Sequence, residues 1–139
     1  MRRFTTVCLA IMVALGLAGC RPSIDDIARS AIRDQATEAL PWFTHVVSTN
    51  DTSDRILMAT KMNAGGAHVY DFGWEEDVFY ADLYFEEHVT TSGGLFGEQR
   101  TVNACVRYTD QPEGPVTASI DCPDRAPYNR TVDEHVPIP

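Results

Sequence analysis

The sequence predicts an α+β domain: one N-terminal amphipathic helix packed on an antiparallel sheet of three to five strands, with one disulfide. Three observations predict it. Apolar residues recur at helical spacing from Ile24 to Leu40. Residues 78–89 then alternate apolar and polar with a period of two. Two shorter alternating segments follow, separated by glycine- and proline-bearing turns.

The helix opens at Ser23, whose S-x-x-D spacing to Asp26 is that of a capped start, with Pro22 just outside. Ile24, Ile27, Ala28, Ala31, Ile32, Ala36, Ala39 and Leu40 form its apolar stripe, and Asp25, Arg29, Arg33 and Asp34 lie off it. Pro41 removes a backbone donor and predicts an end or a kink before it.

The next segment, "SDRILMATKMNAGG", fits two elements. A short helix over 54–63, capped by Ser53 and stopped at Gly65, suits its good helix formers. A strand from Arg55 to Met62 suits the spacing of Ile56, Met58 and Met62, and the strand-like chain beyond tips the expectation toward the strand.

"VFYADLYFEEHV" (78–89) is the clearest strand. Its odd-numbered residues Phe79, Ala81, Leu83, Phe85 and Val89 should meet the helix. The even-numbered set, Tyr80, Asp82, Tyr84, Glu86 and His88, should meet solvent or a partner, since burying its carboxylates without a cation is costly. "TVNACVRYT" follows with Val102, Ala104, Val106 and Tyr108 on one face, then the turn "DQPEGP" and the strand "VTASI". Pairing Val106 with Ile120 and Tyr108 with Ala118 would put Cys105 and Cys122 on opposite faces. A bridge between them then needs a bulge near Cys105, or a chain that leaves the ladder before Cys122. Residues 123–139 hold four of the eight prolines and no periodicity, and read as an irregular tail after a domain spanning 24–122.

The N-terminus has the parts of an export signal. Arg2 and Arg3 precede an apolar stretch from Val7 to Ala18 that is short of the roughly 20 residues a spanning helix needs. Leu17-Ala18-Gly19-Cys20 resembles the lipobox of bacterial lipoprotein precursors, a resemblance confined to this N-terminal segment. It implies cleavage after Gly19, a diacylglyceryl group on the Cys20 thiol, and attachment to the outer side of the cell membrane. Residues 1–19 are then a signal peptide and 20–23 a short tether. Cys8 leaves with the signal and Cys20 is acylated, so Cys105 and Cys122 remain as a pair that an oxidising compartment would join.

After position 19, twenty acidic side chains against nine basic ones give a formal charge of −11. Such a surface repels phosphate backbones, which argues against nucleic acid as a partner and leaves the lipid as the membrane attachment. "DFG" at 71–73 stands without any other kinase element. The acidic run of 71–87 lacks the spacing of a calcium loop, and no two histidines have helical metal-ligand spacing. Ser92, His88 and Asp82 are a triple that the fold would have to assemble, with no nucleophile motif around them. No cofactor is implied.

The candidate binding face is therefore Tyr80, Asp82, Tyr84, Glu86 and His88, with Trp74 beside it. These features suggest a non-catalytic module that binds or scaffolds another envelope component. The alternatives are a small tethered hydrolase or metal-dependent enzyme, and an inhibitor of a secreted enzyme.

Overall fold

The computed structural model describes residues 22–64, 68–91 and 97–139. The lipobox with Cys20, the turn at Gly65 and Ser92 lie outside the described residues.

Helix α1 spans Ile24–Thr49 and opens on a full capping box: Ser23 Oγ accepts from Asp26 N, and the Asp26 carboxylate accepts from Ser23 N. It does not end at Pro41, which lies inside it. The apolar stripe continues past the proline through Phe43, Val46 and Val47, all buried, so packing offsets the lost backbone bond. One turn before the proline, the buried Tyr108 hydroxyl donates to Ala36 O at 2.6 Å.

The segment from Arg55 to Met62, where the sequence favours a strand, instead lies in helix α2, Arg55–Ala64. Its cap is Asp54 rather than Ser53, with Asp54 Oδ1 accepting from Ile56 N and Leu57 N. Met58 and Met62, one helical turn apart, enter the core, while Ile56 points away at 83% exposure. The methionine spacing suits either element. Ile56 is the residue that a strand face would have had to bury.

The sheet contains β1 (Val69–Glu75), β2 (Val78–Thr90), β3 (Gln99–Gln111), β4 (Gly114–Ile120) and β5 (Glu134–His135). The first four form an antiparallel meander in sequence order. β1 is an element that the sequence reading does not anticipate. Its hairpin to β2 turns on Glu76 and Asp77, both at positive φ, as a two-residue loop of type I′ requires. Gly114, at φ 120°, supplies the corresponding freedom after Pro112 and Glu113.

The β3–β4 register differs by one residue from the expected pairing. Cys105 pairs with Ile120, Val106 with Ser119 and Tyr108 with Thr117. That single step turns Val116, Ala118 and Ile120 to the face away from the core. It also removes the conflict over the bridge, because Cys122 lies two residues beyond Ile120 on the Cys105 side. The Cys105–Cys122 disulfide forms with Cα atoms 5.2 Å apart and no bulge.

The core lies on one side of the sheet. Phe79, Ala81, Leu83 and Phe85 of β2 join Val102, Ala104, Val106 and Tyr108 of β3 with the buried residues of both helices. Phe43 of α1 stacks on Phe79, with centroids 6.2 Å apart, and tilts against Tyr108 at 5.6 Å.

The C-terminal segment, expected as an irregular tail, is irregular for most of its length but belongs to the domain. β5 pairs in parallel with β3 at Val102 and Asn103, and Val136 beside it is fully buried. Arg29 of α1 makes a bidentate pair with Glu134 at 2.8 and 2.9 Å.

Candidate functional site

The candidate surface is the face of the sheet away from the helices. Alternation along β2 sends Tyr80, Asp82, Tyr84, Glu86 and His88 to it, as the sequence reading expects. Trp74 is not among them. It pairs with Phe79 on the core side, and its indole N–H donates to Thr52 O at 2.7 Å. β1 adds Gly73 beside Tyr80 and Asp71 beside Asp82. β3 adds Thr101, Asn103, Cys105 and Arg107.

Asp82 does not meet solvent: it is 3% exposed. Arg107 Nε and Nη2 donate to its two oxygens at 2.7 and 2.9 Å, and Nη1 donates to Glu75 at 2.6 Å. The guanidinium also lies 4.0 Å from the Tyr80 ring centroid. The cation that burial of Asp82 demands is thus supplied across the β2–β3 ladder, where Arg107 is the register partner of Asp82. The carboxylate partners push the Arg107 pKa still higher. This part of the face is a closed ion-pair network and carries sheet structure.

The other half is more open. Tyr84 Oη donates to Glu86, whose second oxygen lies 3.0 Å from His88 Nε2 and 3.4 Å from Arg130 Nη1. His88 Nδ1 is in turn 2.8 Å from Thr101 Oγ1. The Tyr84 bond, then His88 and Arg130, hold the Glu86 carboxyl below its ordinary pKa against the opposing effect of burial. Burial, with the bond to Glu86, pushes the Tyr84 phenol up to about 12.

The C-terminal segment lies over this half. The Tyr128 ring packs 5.1 Å from both Tyr70 and Tyr84, and Arg125 donates to Tyr70 O. Between the segment and the sheet is a cleft of about 410 Å³ whose lining includes Asn103, Cys122, Tyr128, Arg130 and His135. Asn103 is buried at its floor, with Oδ1 3.1 Å from His135 Nδ1. Among the described residues no group of three His, Cys, Asp or Glu side chains is arranged to hold a metal ion.

Sequence reasoning missed Arg107, Tyr70, Tyr128 and Arg130. Arg107 left a signal, being off the apolar face of an alternating strand next to an acidic one. The other three did not, because their place depends on how β1 and the C-terminal segment cross the sheet. Of the triple Ser92, His88 and Asp82, the last two are not joined, since Asp82 is bound to Arg107 and His88 to Glu86 and Thr101.

Comparison with protein-family models, with curated proteins and with solved structures finds no match. The functional reading therefore rests on the residues and their geometry.

Proposed function

We propose that the chain is an envelope lipoprotein, attached to the outer side of the cell membrane through a diacylglyceryl group on Cys20. Its domain then serves as a non-catalytic binding or scaffolding module. One juxtaposition carries the reading: the lipobox match ends at Cys20, and the capped helix α1 begins at Ile24. Cleavage before Cys20 would leave a lipid-bearing residue almost directly on a folded domain. Two acyl chains anchor stably where one does not.

Support for binding comes from the outer face near Tyr84. Tyr128 and Arg130 line a cleft there; both residue types recur where binding energy concentrates, and the tyrosine ring supplies contact area at small entropic cost. The partner in this reading is another envelope protein.

A second reading has one observation in its favour. Thr101, His88 and Glu86 form a hydrogen-bonded series of hydroxyl, imidazole and carboxylate, the order that nucleophilic hydrolysis uses. The His88 side chain is 55% exposed, however, so water competes at each of these bonds. A tethered hydrolase is the weaker reading for that reason.

The test is to express the full chain in a bacterial host and measure the mass of the N-terminal peptide. Wild type should carry acyl chains and remain with membranes, and Cys20→Ser should accumulate as unprocessed precursor. A wild-type peptide with no acyl mass overturns the anchoring. A stoichiometric protein recovered with the detergent-solubilised wild type favours binding. Turnover of an activated ester, lost in His88→Ala, favours the hydrolase instead.

A further inference from the structure

The two ends of the domain differ in what they hold. At one end a cleft is lined by Ser23, Ile24, Asp25, Glu98, Gln99 and Arg100. Arg100 pairs there with Asp25 at 2.8 Å and with Asp133 at 3.6 Å, tying the start of α1 to the start of β3. At the other end lie the β1–β2 turn and the β3–β4 turn. Glu75, Glu76, Asp77, Asp110 and Glu113 gather around them, and Arg107 is already bound to Asp82 and Glu75.

The 26 residues of α1 span about 39 Å and the 13 residues of β2 about 43 Å, so the two ends stand roughly 40 Å apart. Helix and strand run between the same two ends. The start of α1 is beside Arg100, and Phe43 near its far end is beside Phe79.

We propose that the domain stands end-on at the bilayer, with Ser23, Asp25 and Glu98–Arg100 toward the headgroups and both acidic turns pointing away. The inference deepens the anchoring proposed above and rests on it. Three peptide steps separate Cys20 from Ser23, and at 3.8 Å per step the tether reaches at most about 11 Å. The near end is therefore held at the headgroups. The far end is free to tilt toward the surface or to stay clear of it.

Charge decides between the two. Anionic headgroups repel the acidic turns, and the repulsion acts when these approach within a Debye length of about 8 Å at physiological ionic strength. One described arginine outside these ion pairs lies there, Arg55 over the Trp74 ring at 5.0 Å, and the exposed Asp51 and Asp54 beside it in the chain more than offset its charge. Standing upright removes it from the repulsive layer and leaves the outer sheet face, with its cleft, open sideways to a partner.

The test uses the full lipidated protein in vesicles of phosphatidylethanolamine and phosphatidylglycerol, with a quencher carried on the headgroup. A fluorophore is attached through Glu98→Cys or Glu113→Cys, both exposed positions. Emission from the Glu98 position should be quenched several-fold more than that from Glu113. The gap should narrow at about 1 M salt, where the Debye length falls to about 3 Å.

Equal or reversed quenching on protein whose acyl mass is verified overturns the orientation alone. A gap that salt leaves unchanged overturns repulsion as its cause. Protein lacking acyl mass overturns the anchoring and the orientation together.

Discussion

Glu86 accepts from Tyr84 and lies beside His88 and Arg130, and each of the three favours its ionised form. Its folded pKa is lowered from the ordinary 4.5. A carboxylate with a depressed folded pKa contributes stability that is present above its unfolded pKa and lost as pH falls through the folded one. The contribution should therefore persist through mildly acid conditions and disappear only below the usual carboxylate range. Tyr84→Phe removes the largest cause of the shift and keeps the ring. Carbon NMR of the Glu86 side-chain carboxyl during an acid titration should show its midpoint rise toward the ordinary value in that variant. An unchanged midpoint would mean that the Tyr84 hydroxyl does not hold the carboxylate. Asp82 gives the opposite lesson at the same scale. Its lack of a basic neighbour in sequence argued for exposure, but the relevant neighbour was Arg107, across the ladder.

At the scale of the element, β2 divides its side chains most cleanly. Phe85 is buried among the core residues and packs face-on to His68, with centroids 5.3 Å apart, while Tyr84 lies on the outer face. Phe85→Ala should cost about 3–5 kcal/mol in denaturant unfolding, as large-to-small core changes do. Tyr84→Ala should cost much less, because its ring is partly exposed. The reverse ranking would make the outer face the core. β2 was legible because its period of two runs through a whole strand with different chemistry on its two sides. α2 was not, since Met58 and Met62 stand four apart and four is a multiple of two as well as about one helical turn. The β4 register was not legible either. Val116, Ala118 and Ile120 alternate whichever way they face, and a six-residue turn segment does not show which two residues close the loop. Pro112 and Glu113 close it, which sets Gln111 opposite Gly114 and every later pair with it.

For the whole molecule, the α+β class and the disulfide could be read in advance, because neither the periodicity nor the expectation that sets Cys8 and Cys20 aside needs knowledge of where the chain turns back. The role of the last residues could not. A proline-bearing stretch without a period carries no local sign that it will cross the outer face, pair with β3 and fill the core from the sheet edge. The structure makes that stretch part of the fold at several points. Val136 is fully buried, its N–H donates to Asn103 O, Asp133 accepts from Thr101 N, and Glu134 holds Arg29. Ending the chain after Cys122 keeps the disulfide but exposes the apolar surface that Val136 covers. Val136 alone accounts for about 1.5–3 kcal/mol of that burial. Because the segment pairs with β3 and buries Val136 in the common core, the loss should appear as a lower urea midpoint for the whole domain rather than as a separate early transition. Val136→Ser should lower the midpoint in the same direction while leaving the chain length intact, since it puts a hydroxyl where no water reaches. If the truncated protein unfolds at the wild-type midpoint, the segment is an appendage after all. The domain would then end at the disulfide, and the cleft between segment and sheet would lose its standing as a built feature of the outer face.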